Sequence, residues 1–132
     1  MLKRRREGAM HIRLGVVAAL AVIAAAPALA APADGFGVFW PKFVAAAAKD
    51  DKPALAAMTA LGPGLGDDGA SFAKFHADHL GAAARRCLVK AKPVRDVDPQ
   101  GGVNYSAFCG EIIYGFSKNA GAWKLTDLGA ND

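Results

Sequence analysis

The sequence predicts an α+β domain in which N-terminal helices pack on a curved antiparallel sheet of three to four strands, behind a helical export segment. Three observations predict it. Apolar residues recur at helical spacing through residues 39–61 and 71–80. Period-two segments separated by turn signals fill residues 87–128. The chain's two cysteines, Cys87 and Cys109, stand on either side of the first of those turns.

Residues 1–30 read as a signal peptide. Lys3, Arg4, Arg5, Arg6 and Arg13 make a basic leading region, and Leu14 to Ala26 is a continuous apolar run. Pro27 breaks the run, and Ala28-Leu29-Ala30 offers the small-x-small pattern that a signal peptidase needs, which sets the cut after about Ala30. Met10 is an alternative start that keeps a charged leading region. The apolar run is shorter than the ~20 residues of a spanning helix, so cleavage is expected rather than anchoring. No cysteine stands near the cut for a lipid anchor, and a twin-arginine pattern is missing. The expected destination is periplasmic or extracellular, with membrane contact only through this segment. Residues 31–35 then form a short mobile leader and residues 36–132 a single α+β domain.

Removing the segment cancels the charge. The whole chain carries 16 Lys+Arg and 12 Asp+Glu, a net of +4. Five of those cations and one acid lie in residues 1–30, so the remainder balances at 11 against 11. A nucleic-acid partner is excluded as an expectation, because the electrostatic footprint has to belong to the mature domain.

Within the domain, Phe39, Trp40, Phe43, Val44 and Ala47 fall on one face of a first helix, with Pro41 in its first turn. Asp51 caps a second helix carrying Leu55, Met58 and Leu61, which Gly62 and Pro63 end. The stretch Leu61 to Gly69 is a turn-rich loop. It lacks the preceding strand and following Lys-Ser/Thr of a phosphate cradle, and the alternating oxygen ligands of a calcium loop. Ser71 caps a third helix with Phe72, Phe75 and Leu80 or His79 inward, closed by Gly81 or extended a turn by Ala82-Ala83-Ala84.

Leu88 to Val94 alternates as a first strand. Asp96 to Gly102 turns the chain, Val103 to Phe116 reads as one long strand, and Ser117 to Gly121 turns it again into Ala122 to Leu128. A hairpin pivoting on Asp98 sets Cys87 opposite Cys109, close enough for a disulfide, and an oxidising compartment favours the bond. The bridge is worth ~3 kcal/mol in the chain-entropy model. The even positions of the long strand, Phe108, Tyr114 and Phe116, make the face that the helices cover, with Phe116 opposite Trp123 and Tyr114 opposite Leu125. Gly110 is the place where a bulge or bend would swap the faces.

The segments Phe39–Phe43, Ala48-Lys49-Asp50-Asp51 and Trp123-Lys124-Leu125, in this order of helices and strands, resemble the cystatin-like or nuclear-transport-factor-like cone fold. Phe72…Phe75, Arg86-Cys87-Leu88, Phe108-Cys109-Gly110-Glu111 and Ala130-Asn131-Asp132 also look like small exported bacterial proteins of unknown function. The resemblance implies a curved cone; it implies no activity, since such folds host enzymes and binders alike.

Chemistry-bearing candidates are few. His76 and His79 share a helix face and are the metal candidates, short of the further ligands that a site needs. His79 and Glu111 are the candidate general bases, with Asp78 weighed as an orienting acid. Tyr105 and Tyr114 read as packing groups with polar tips. Arg85, Arg86, Lys90, Lys92 and Arg95 form a basic patch set against Asp50, Asp51, Asp67 and Asp68. No nucleophile triad or nucleotide fingerprint stands out, and no cofactor is implied. The function expected is a non-catalytic, disulfide-stabilised domain that binds a small apolar molecule or a protein in a pocket lined by Phe39, Phe43, Phe108, Tyr114 and Trp123. A second copy of the chain is a further candidate partner. The alternative is a small cone-fold hydrolase or isomerase using His79 or Glu111 as base.

Overall fold

The computed structural model describes residues 34–62, 65 and 71–132. The export segment, residues 31–33 of the leader and most of the Gly/Pro loop lie outside the described residues. The elements are α1 (Phe36–Lys49), α2 (Lys52–Ala57), α3 (Phe72–His79), α4 (Ala82–Lys90), β1 (Val94–Val97), β2 (Val103–Cys109), β3 (Ile112–Asn119) and β4 (Ala122–Ala130). The strands form one antiparallel sheet in the order β1-β2-β3-β4. Among the described residues no helix is long and apolar enough to cross a membrane.

Helix α1 starts earlier than its apolar stripe suggests. The Asp34 carboxylate accepts from the Phe36 N–H at 3.0 Å, so the first turn forms ahead of Phe39 and Pro41 lies inside the helix. There a proline removes one backbone bond, and burial of Phe36, Phe43, Ala46 and Ala47 on a single face offsets the loss. Helix α2 is capped as expected, Asp51 accepting from the Ala54 N–H at 3.2 Å, but it ends at Met58. The chain then runs beside β4: Leu125 donates to the Met58 carbonyl at 2.8 Å and accepts from the Ala60 N–H at 2.9 Å. Leu61 therefore packs against the core from an extended segment. In α3 the Ser71 hydroxyl accepts from the Lys74 N–H at 3.3 Å, and Phe75 is buried.

The first expected strand is a helix. Ala82 to Arg86 are strong helix formers, and the alternation beginning at Leu88 is too short to override them. Leu88 is completely buried on α4, and Ala84, one turn earlier, packs against the same core. Pro93 follows the helix end, and β1 begins at Val94.

The long expected strand is two. Cys109 pairs with Ile112, leaving Gly110-Glu111 as a two-residue hairpin turn. Gly110 takes φ 64°, which glycine adopts freely at the first central position of a II′ turn. The turn exchanges parity. Odd residues Tyr105 and Ala107 face the helices on β2, and even residues Tyr114 and Phe116 do so on β3. Phe108 consequently lies on the opposite face and is 48 % exposed, correcting its assignment to the covered face. The β3–β4 register also differs from expectation: Phe116 pairs with Leu125, Lys118 with Trp123 and Tyr114 with Leu128. A bulge between Gly115/Phe116 and β4 leaves Thr126 unpaired, which keeps both Leu125 and Leu128 on the helix side.

The core between the layers is aromatic and aliphatic: Phe43, Tyr114, Phe116, Leu55, Leu80, Leu88 and Leu125 are its largest fully buried side chains. Phe36 stacks on Tyr105 with ring centroids 3.7 Å apart. Cys87 and Cys109 form the expected disulfide, with Cα atoms 5.8 Å apart. It ties α4 to β2, a helix to the sheet rather than two strands to one another.

Candidate functional site

The two base candidates meet at one end of the molecule. Helix α3 ends at His79, whose main-chain carbonyl accepts from the Tyr114 hydroxyl at 2.6 Å. That bond fixes the helix end over the β2–β3 turn end of the sheet. Burial pushes the Tyr114 phenol above its ordinary pKa, so it stays a donor. The chain after β4 closes the other side: the Asn131 N–H donates to the Glu111 carbonyl at 2.9 Å, and its side-chain amide donates to the Gly110 carbonyl at 3.3 Å.

Between them lies an open cleft of about 660 Å³. Ile112, Leu128, Gly129 and Ala130 line it, together with His79, Glu111, Asn131 and Asp132. Ile112, Leu128 and Ala130 come from the helix-facing side of the sheet, so the floor is apolar and the polar groups stand at the rim. His79 Nδ1 is buried and has no hydrogen-bond partner, and the Phe75 ring lies 5.3 Å from the imidazole. Glu111 occupies the exposed hairpin turn, not the middle of a strand.

His76 is used differently. Its Nε2 pairs with Asp50 Oδ1 at 2.7 Å, and Arg85 Nη1 approaches the same oxygen at 3.4 Å while donating to the Leu80 carbonyl at 2.8 Å. The hydrogen bond from His76, opposed by partial desolvation and helped by Arg85, holds the Asp50 carboxyl below the usual range. These three groups bind the end of α1 to α3 and α4. Asp78 orients neither histidine; it pairs with Lys74 at 2.6 Å. The structure therefore does not converge His76 and His79 on one point, and among the described residues no group of three or more His, Cys, Asp or Glu could hold a metal ion.

The five aromatic residues assigned to a pocket do not form one wall. Phe43, Tyr114 and Trp123 are buried in the core, Phe39 packs against it, and Phe108 is on the other face of the sheet. Trp123 also lines a cleft of about 370 Å³, beside Asp34, Lys118 and the β1–β2 loop.

Two contributors were not legible in sequence. Asp50 reads as a helix stop beside Asp51, and its partner His76 is 26 residues away with no local signal linking them. Asn131 looks like a polar tail, yet it pins the turn that carries Glu111. No protein-family model, curated protein or solved structure matches the chain.

Proposed function

We propose that the chain is exported, loses its signal peptide after about Ala30, and acts in the periplasm or outside the cell as a non-catalytic binding domain. The observation that carries the binding reading is the cleft at His79 and Glu111. Its volume of about 660 Å³ falls in the ~300–1,000 Å³ range of ligand sites, and an apolar floor with a few polar rim groups suits a small molecule or a short protein segment. The Cys87–Cys109 bond supports export, because such bonds persist in oxidising compartments. Helices over an antiparallel sheet agree with the cone resemblance, which stays part of this proposal.

The site is tested by following backbone amide NMR signals while the exported protein is titrated with a fragment set. Ligands of this cleft move the signals of His79, Glu111, Ile112 and Leu128 to Asn131 together. Shifts confined to other surfaces, or none, overturn the reading. Export is checked separately on secreted material: its N-terminus should be Ala31, and both cysteines should resist alkylation until reduced.

A second reading, a small hydrolase or isomerase, is favoured by one fact: His79 and Glu111 line the same cleft. It requires that ester hydrolysis by the wild type fall in both His79→Ala and Glu111→Gln. Equal rates in all three proteins remove it.

A further inference from the structure

We propose that the concavity between α1 and α4 is a second binding site, for a small amphiphile carrying one carboxylate on an apolar tail. It goes beyond the His79 cleft, which lies elsewhere and has no lysine or arginine in its walls. The concavity measures about 270 Å³ and is walled by Ala47 and Ala48 of α1 and by Ala82, Arg85, Arg86, Val89 and Lys90 of α4.

The α4 positions recur every three to four residues and so share one helix face. Alanine on both helices leaves a shallow apolar floor, and Val89 adds an aliphatic side chain that is 38 % exposed. Three cationic residues line this one concavity and no acidic residue does. Arg85 has a protein acceptor, the Leu80 carbonyl, and Asp50 beside it. Arg86 and Lys90 make no ion pair among the described residues. The chain from His79 to Arg95 contains no Asp or Glu to neutralise them. A concave apolar wall focuses the resulting positive potential.

The occupant follows from these properties. Its charge is complementary to Arg86 and Lys90, so it is an anion. An apolar floor of alanine and valine calls for an aliphatic tail. A volume of about 270 Å³ lies just under the ~300 Å³ where drug-sized sites begin, which limits the guest to a single short chain. The Cys87–Cys109 bond holds α4 on the sheet and Arg85 Nη1 lies 3.4 Å from Asp50 at the end of α1, so both walls of the groove are tied before the ligand arrives.

The experiment titrates the exported, oxidised protein with decanoate, decanol, decylammonium and inorganic phosphate, read by amide NMR shifts. Decanoate should move Ala47, Ala48, Ala82 and Val89, and its affinity should fall at least about tenfold in Arg86→Glu/Lys90→Glu. Both side chains are exposed, and a melt confirms folding; Arg86→Gln/Lys90→Gln gives the same reading by a smaller loss if the reversal destabilises α4. Equal binding of decanol or decylammonium overturns the charge argument. Equal binding of phosphate overturns the amphiphile. Absence of decanoate shifts at α1 and α4, shifts at the His79 cleft instead, or unchanged affinity in the variants overturns the site.

Discussion

Asp34 accepts hydrogen bonds at both carboxylate oxygens and at its main-chain carbonyl: from the Phe36 N–H at 3.0 Å, the Tyr105 hydroxyl at 2.6 Å and Trp123 Nε1 at 2.6 Å. Arg95 Nε lies 3.5 Å from the same carboxylate. Partial desolvation works against the charge, but the donors to the carboxylate from Tyr105, Phe36 and Arg95 outweigh it and hold the carboxyl below its ordinary pKa. A carboxyl depressed by folding stabilises the fold above its unfolded pKa of ~4, and that contribution is lost as pH falls through the folded value. Asp34→Asn should therefore lower the melting temperature at pH 7 and lower it less at pH 3; an equal loss at both would mean that the charge is irrelevant. Tyr105 has the opposite sign. Burial first, and Asp34 second, raise its pKa, so its contribution is complete below its unfolded value of ~10 and declines above it. None of this was legible in sequence. Asp34 stands between small residues with no periodic signal, in a stretch read as a mobile leader, and its partners are 71 and 89 residues away.

The pairing of Cys87 with Cys109 was legible from the cysteine count and the expected oxidising compartment, while the element carrying Cys87 was not. Four alternating residues after Leu88 resemble a strand, but helix propensity over Ala82 to Arg86 and burial of Leu88 decide for α4. The disulfide therefore governs how firmly a helix sits on the sheet. Cys87→Ser/Cys109→Ser should lose ~3 kcal/mol, more than about 10 °C in melting temperature. Reduction of the wild type should reproduce the loss; an unchanged melt would mean that side-chain packing alone holds α4. The β3–β4 turn offers a gain instead. Ala120 and Gly121 both have positive φ, 50° and 80°, as a I′ turn requires. A side chain disfavours that conformation by ~1 kcal/mol, and asparagine tolerates it better. Ala120→Asn should raise the melting temperature by about 2–4 °C in a thermal scan; no change would show that the loop does not hold Ala120 in this conformation.

At the scale of the molecule, the sequence made the α+β class and the meander legible, because both depend on the order of apolar periods. It could not place the face of each strand, because a two-residue turn at Gly110 and a bulge opposite Gly115 each reverse parity without altering composition. The aromatic pocket is absent among the described residues for two reasons: Phe108 lies on the other face of the sheet, and Phe43, Tyr114 and Trp123 fill the core. The His79 cleft was beyond reach because α3, the hairpin turn and the chain end meet only through tertiary hydrogen bonds. Strand β1 is one of the sheet's two outer strands. The β1 residues Val94 to Val97 are all exposed, and an open strand edge is a template for aggregation. Two copies joined edge to edge about a twofold must set residues of like parity opposite each other. For β1, the registers that keep most of the strand paired place Arg95 against Arg95 or Asp96 against Asp96, and like charges so opposed repel. The short charged edge thus disfavours pairing of two copies through β1, even though the valines beside those charges would favour it.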